Sequence, residues 1–113
     1  MTIEEQIKQL TKEAFVDLVH LRYDKLKEEN KLNEETENFL KEVFQEQGTL
    51  SLPPDNEEMV IDVYEYNDNS GFCAEIRYLW FDDEESPIVL FCQAKANEER
   101  TRVIKFYIET LDA

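Results

Sequence analysis

The sequence predicts an α+β fold in which two N-terminal helices pack on a four-stranded antiparallel β-meander. In the first 47 residues, apolar side chains recur every three or four positions, whereas from Met59 onward they alternate with polar ones. Short turns separate the alternating runs, which favours antiparallel pairing, and helices followed by strands are typical of α+β proteins. With 113 residues, of which 42% are hydrophobic, residues 1–113 are expected to form a single domain with its own core.

The first predicted helix spans about residues 2–21, where Thr2 and Glu5 match a capping box. The second spans about residues 33–47; Asn33 is a suitable N-cap and Gly48 a suitable terminator. Between them, "RYDKLKEENKL" is polar and lacks Gly and Pro, which predicts a short turn or an irregular helical piece.

Four predicted strands follow, at about 59–66, 72–81, 88–95 and 102–111. We expect Trp80 opposite Ile88 and Ile76 opposite Cys92, because this register gathers apolar and amphipathic side chains on one face. Tyr78 and Ile104 join the same face, which is the predicted core.

The opposite face of the predicted sheet is also rich in apolar residues. Two short helices can cover only one side, and an exposed patch of this kind predicts an interface, which we expect to be that of a homodimer. The expected dimer residues are Leu79, Phe81, Val89, Phe91 and Tyr107.

Charge is the strongest compositional signal. Twenty-seven Asp and Glu against twelve Lys and Arg give a net charge of −15, and no basic residue occurs between Lys41 and Arg77. This balance argues against binding to nucleic acid or to anionic membranes and favours a basic protein partner. No apolar run reaches the roughly 18 residues of a membrane span, and the N-terminus lacks a secretory signal, so we expect a cytoplasmic protein.

An acidic run, "DDEES", follows the aromatic "YLWF". It is interpreted as a solvated turn or as a contact for a basic partner, since it lacks the alternating carboxylates and glycine of a calcium loop. The predicted partner-binding residues are Asp82, Asp83, Glu84, Glu85, Glu57 and Glu58, within a wider acidic region that also includes Glu42 and the 55–68 region.

Catalytic and metal-binding patterns are not evident in the sequence. His20 is the sole histidine; Asp17 could touch it on one helix, but a histidine at a helix C-terminus is the preferred interpretation. Cys73 and Cys92 are interpreted as structural thiols. No catalytic residue, metal or cofactor is therefore predicted, and a small-ligand pocket would have Tyr78, Trp80 and Asp62 in its wall.

Three segments, "FVDLVHLRYDKL", "FLKEVFQEQGTLSLPP" and "IRYLWFDDEES", are similar to parts of small uncharacterised bacterial members of the nuclear transport factor 2-like superfamily. The resemblance spans nearly the whole chain and implies that the two helices lie in the mouth of a curved, cone-like, four-stranded antiparallel sheet. The superfamily hosts enzymes, ligand binders, transport factors and immunity proteins, so the resemblance does not select a function.

The preferred hypothesis is a non-enzymatic acidic protein of the immunity or inhibitor kind, which occludes a basic partner such as a nuclease toxin. One alternative is a small-ligand-binding or weakly catalytic cone-fold domain. The other is a dimeric accessory domain.

Overall fold

The computed structural model describes residues 1–54 and 57–112, and the predicted acidic residue Asp55 lies outside them. Helices precede two antiparallel sheets, which confirms the α+β class. The helices are α1 (Ile3–Val19), α2 (Tyr23–Glu28) and α3 (Glu34–Gln47). The strands are β1 (Leu50–Ser51), β2 (Val60–Glu65), β3 (Phe72–Arg77), β4 (Trp80–Phe81), β5 (Glu84–Glu85), β6 (Val89–Ala96) and β7 (Val103–Asp112).

The two long helices begin at the predicted caps. The Thr2 hydroxyl accepts from the Glu5 amide at 3.1 Å, and the Glu5 carboxylate accepts from the Thr2 amide at 3.3 Å, so the capping box is complete. Asn33 Oδ1 accepts from the Thr36 amide at 2.7 Å at the start of α3. Within the described residues, none of the helices is long and apolar enough to cross a bilayer.

The polar segment between the long helices forms α2, and a tight reversal lies at each end of it. Leu21 and Asn30 both adopt left-handed backbone conformations, with φ values of 59° and 58°. The Arg22 amide then donates to the Asp17 carbonyl and the Lys31 amide to the Leu26 carbonyl, each at 2.8 Å. These are Schellman motifs, which satisfy the last carbonyls of a helix and fix the direction of the chain after it.

The larger sheet has the strand order β2-β3-β6-β7. Ile76 lies opposite Leu90 and Ala74 opposite Cys92, so the predicted register of β3 on β6 is wrong by two residues. All three helices precede this sheet, and its core face packs against them. The buried residues of that face are Phe72, Ala74, Ile76, Leu90, Cys92, Ala94, Phe106, Ile108 and Leu111. Ile104 is exposed, contrary to expectation.

The cause of the register error is the end of β3 at Arg77. Arg77 and Tyr78 are both exposed, so the in-out alternation shifts by one residue, and Leu79 and Phe81 turn inward. Their exposed fractions are 1% and 4%, whereas Tyr78 is 45% exposed. β4 then leaves the larger sheet and pairs with β1 and β5 in a second, three-stranded sheet. The predicted strand over 72–81 is therefore divided between two sheets.

Two of the sequence-based assignments are wrong as a result. Tyr78 does not lie on the core face, and Leu79 and Phe81 are core residues that the helices already cover, so neither is available for the predicted dimer interface. The Phe81 ring lies 5.7 Å from that of Phe44 in α3. The free energy gained by burying Leu79 and Phe81 favours the division of the strand over its continuation in a single sheet.

Candidate binding surface

The acidic run forms a tight hairpin. Asp82 and Asp83 are its two turn residues, with φ values of 51° and 63°, and Glu85 pairs with Trp80 across the turn. Positive φ at both central residues is the geometry of a type I′ turn, which asparagine, aspartate and glycine tolerate best. The four carboxylates therefore have different positions: two lie in the turn and two on the returning strand.

This hairpin is fixed against the end of α3 by polar contacts. Asp82 Oδ1 accepts from the Thr49 amide at 3.0 Å, and the Asp82 amide donates to the Thr49 carbonyl at 2.8 Å. The Asp83 amide donates to Ser51 Oγ at 3.1 Å. A Cβ on Gly48 would lie 2.1 Å from Asp82 Oδ2, so only glycine permits this approach. Asp82 thus has a structural role that its sequence context did not reveal.

Exposed carboxylates lie in two places, on α3 and on the hairpin. Glu35, Glu42 and Glu46 share one stripe of α3 with Phe39, at separations of four, three and four residues, and Phe39 is 41% exposed. We call the following residues the acidic surface: Glu35, Glu42, Glu46, Asp83, Glu84 and Glu85. Within residues 1–54 and 57–112, none of them lies within 4.0 Å of a lysine or arginine nitrogen. Glu57 and Glu58 are also exposed, on the connector before β2.

Asp17 on α1 is a carboxylate of the opposite kind, with an exposed fraction of 3%. Arg22 Nη1 donates to Asp17 Oδ1 at 3.1 Å, and Lys25 Nζ donates to Asp17 Oδ2 at 3.0 Å. Burial acts to raise the pKa of Asp17, but the hydrogen bonds from Lys25 and Arg22 outweigh it, so the pKa is lowered. Asp17 does not pair with His20, which is the exposed C-cap residue of α1, as the preferred interpretation expected.

Glu37 on α3 is the second buried carboxylate. Lys27 Nζ of α2 lies 2.7 Å from Glu37 Oε1, and Lys41 contacts Oε2 from one turn further along α3. The ammonium groups of Lys27 and Lys41 lower the pKa of Glu37 against the effect of burial. The short helix α2 is therefore tied to α1 through Asp17 and to α3 through Glu37.

The face of the larger sheet that points away from the helices carries polar networks and half-buried apolar residues. Arg77 Nη2 donates to Tyr64 Oη at 2.8 Å and lies 3.3 Å from Glu75, while its Nε lies 3.3 Å from Asp62. Tyr66 Oη donates to Gln93 at 2.7 Å. The half-buried residues of this face include Val89, Phe91 and Tyr107, the remaining members of the predicted dimer interface.

The cysteines lie on opposite faces of the larger sheet, and both thiols are free. Burial is the main cause that raises the pKa of Cys73 and, more strongly, that of Cys92. Neutral thiols are poor nucleophiles and poor metal ligands, so neither cysteine is poised for chemistry.

The three residues predicted to line a ligand pocket do not converge. Asp62 is half-buried on β2 of the larger sheet, Trp80 is half-buried in the smaller sheet, and Tyr78 lies exposed between them. The division of the strand after Arg77 separates them. A cleft of about 350 Å³ lies elsewhere, between α1 and α2, where Asp17, Arg22 and Lys25 meet.

Fold and surfaces together define a small acidic α+β domain with exposed carboxylates on α3 and the hairpin and a helical layer joined by buried carboxylates paired with lysine and arginine. Residues 15–113 match the family model described as "Domain of unknown function (DUF7668)", and the chain therefore belongs to that family. Neither the curated proteins nor the solved structures gave a significant match.

Proposed function

We propose that this chain is a non-enzymatic binding protein that uses the acidic surface to occlude a basic partner, such as a nuclease toxin. The observation that carries the proposal is the hairpin itself. Its backbone is fixed by the contacts of Asp82 and Asp83 with Thr49 and Ser51, which follow α3. Among the described residues, no lysine or arginine nitrogen lies within 4.0 Å of the Glu84 or Glu85 carboxylate.

Carboxylates on a fixed backbone bind a cationic surface better than those on a mobile loop, because less loop entropy is lost on association. Phe39 adds an apolar contact within the glutamate stripe of α3, and aromatic residues are common anchors at protein interfaces. A partner of this chemistry carries lysine and arginine around an apolar depression.

A nuclease groove fits that description because it must neutralise phosphates with basic side chains. Carboxylates placed in such a groove mimic the phosphates and block access to it. Charge complementarity of this kind accelerates encounter, and the acceleration falls as salt screens the charges.

The test is capture from the native host's lysate at about 0.1 M and about 1 M salt, where charges are screened over about 10 Å and about 3 Å respectively. Retained proteins are identified by mass spectrometry and assayed for nuclease activity with and without the chain. The proposal predicts a basic protein that is retained only at low salt and inhibited on binding.

Two variants of equal net charge sharpen the result. Glu42→Gln/Glu84→Gln/Glu85→Gln removes three of the six charges of the acidic surface, whereas Glu4→Gln/Glu98→Gln/Glu99→Gln removes three exposed charges elsewhere. Loss of capture in the first variant alone supports the proposal. Equal capture by both variants contradicts it.

A second proposal is a homodimer formed through the open face of the larger sheet. Val89, Phe91 and Tyr107 support it, because they are half-buried on a face that the helices leave uncovered. Sedimentation equilibrium tests it: Phe91→Lys converts a dimer to a monomer, and a monomeric native chain contradicts the proposal.

A place in the nuclear transport factor 2-like superfamily, with a cone-shaped sheet and cytoplasmic location, also remains a proposal. The order of helices before a four-stranded antiparallel sheet supports it. Ligand binding or weak catalysis inside a cone has less support, since Tyr78, Trp80 and Asp62 lie apart.

A further inference from the structure

The cleft between α1 and α2 has a charge unlike that of the rest of the chain. Four of the twelve Lys and Arg residues line it, namely Lys12, Arg22, Lys25 and Lys31, against three carboxylates. The whole chain has more than two carboxylates per cation. The cleft, of about 350 Å³, is therefore a locally cationic site on a strongly acidic protein.

The carboxylates of the cleft are already engaged. Asp17 accepts from Arg22 and Lys25, and Glu29 lies 3.5 Å from Lys31 Nζ. Glu13 accepts from the Gln9 amide group at 3.4 Å. These contacts do not use all of the N–H donors of the four cations.

The unused donors belong chiefly to Arg22 and Lys12. Arg22 directs one of its N–H groups to Asp17, and its other guanidinium N–H groups have no acceptor among residues 1–54 and 57–112. Lys12 lies within 4.0 Å of no carboxylate oxygen in that same part of the chain.

The backbone positions two of the four cations of the cleft, Arg22 and Lys31. Arg22 and Lys31 each follow the left-handed residue of a Schellman motif. The reversals at the two ends of α2 therefore place both residues at the same cleft. The buried carboxylate of Asp17 forms ion pairs with Arg22 and Lys25 and so positions both side chains. Such preorganisation reduces the entropy lost when a ligand is bound.

We propose that the cleft between α1 and α2 binds a small oxyanion, a carboxylate or a phosphate, through Arg22 and Lys12. A planar guanidinium with free N–H groups matches two oxygens of either anion. The site shares no residue with the acidic surface, so it stands or falls independently of the function proposed above.

The test is a titration of the isotope-labelled chain with inorganic phosphate and, separately, with succinate, at constant ionic strength. Amide shifts are followed by two-dimensional NMR. We expect saturable shifts confined to residues 12–17 and 22–31 with at least one anion, and the effective anion identifies the ligand class. Shifts that do not saturate, or that spread over all cationic regions, would overturn the proposal.

Variants separate a site from general ionic effects. Lys12→Gln/Arg22→Gln is expected to weaken binding by about tenfold or more, since it removes charge-assisted hydrogen bonds. The control Arg102→Gln/Lys105→Gln removes the same charge from exposed positions elsewhere and is expected to bind as the native chain does. Equal weakening of anion binding in both double variants would overturn the proposal.

The single variant Lys12→Gln guards against loss of the fold. Lys12 makes no ion pair with a described carboxylate, so its removal leaves the contacts of Asp17 intact. Weaker binding with an unchanged melting temperature supports the proposal, and unchanged binding removes Lys12 from it.

Discussion

The helical layer and the acidic hairpin use carboxylates in opposite ways. In the helical layer, Asp17 and Glu37 are buried and each is held by two cations, so charge joins the helices. In the hairpin, Leu79 and Phe81 provide the burial, while Asp83, Glu84 and Glu85 remain exposed.

This difference shows that composition alone does not reveal what an acidic residue does. Four of the twelve Lys and Arg residues, Arg22, Lys25, Lys27 and Lys41, are committed to the two buried carboxylates. Fewer cations then remain to neutralise the surface. The binding potential of the hairpin therefore depends partly on ion pairing elsewhere.

The largest expected effect concerns the apolar anchor of the hairpin. Phe81→Ala should lower the free energy of unfolding by about 3 to 4 kcal/mol, because it removes a buried ring and leaves a cavity. Urea denaturation measures it, with Tyr78→Ala as the exposed aromatic control at less than about 1 kcal/mol. Equal effects of the two substitutions would mean that Phe81 is a surface residue, as the sequence analysis predicted.

The next effect concerns the buried ion pairs. Asp17→Asn should cost about 2 kcal/mol, because it removes hydrogen bonds between charged groups, although Arg22 and Lys25 can turn to solvent. Glu13→Gln, on the exposed side of the same helix, is the control and should be nearly neutral. A neutral Asp17→Asn would contradict a structural role for this carboxylate.

Acid should act through the same two groups. The pKa values of Asp17 and Glu37 are lowered from their ordinary values of 3.8 and 4.5, so their contribution is complete above those values. It is lost as the pH falls below them toward the lowered values, where the folded carboxylates take up protons. Urea midpoints measured from pH 6 downward should therefore fall less steeply for Asp17→Asn/Glu37→Gln than for the native chain, and parallel curves would exclude both groups as the cause.

A smaller effect, of opposite sign, is expected at Leu21. Its backbone is left-handed, with a φ of 59°, and its side chain is 70% exposed, so glycine relieves strain without losing burial. Leu21→Gly should raise the free energy of unfolding by about 0.5 to 1 kcal/mol. Lys8→Gly, inside α1, should lower it by about 1 kcal/mol, which tests whether position and not glycine itself decides the sign.

The smallest effect on stability is expected from the hairpin carboxylates. Glu84→Gln/Glu85→Gln should change the free energy of unfolding by less than about 0.5 kcal/mol, since both residues are exposed and unpaired among the described residues. A larger loss would show that these charges maintain the fold, which would weaken their assignment to binding.

The predictable parts of this structure are those coded locally. Apolar spacing and the Thr2, Asn33 and Gly48 caps identify the two long helices, and alternation identifies the larger sheet. The division after Arg77 is not coded locally, because "IRYLWF" alternates equally well in one sheet or in two. Tertiary burial of Leu79 and Phe81 decides between these arrangements.

The candidate sites divide in the same way. Exposure of Asp82 to Glu85 follows from a turn-like, charged sequence, whereas the contact of Asp82 with Thr49 spans 33 residues and leaves no periodic signal. The sequence did not indicate the cationic cleft, because the left-handed residue after α1 is Leu21. Glycine at that position would have predicted the chain reversal. Asp17 was noticed, but beside His20 instead of Arg22 and Lys25.

The central claim is that the acidic surface is for binding and that the fold is maintained elsewhere. The most direct measurement is the association rate constant of the captured partner across a range of salt, for the native chain, Glu42→Gln/Glu84→Gln/Glu85→Gln and Glu4→Gln/Glu98→Gln/Glu99→Gln. We predict a slower rate and a shallower salt dependence for the first variant alone, with native melting temperatures throughout. Identical rates and salt dependences for both variants would contradict the account.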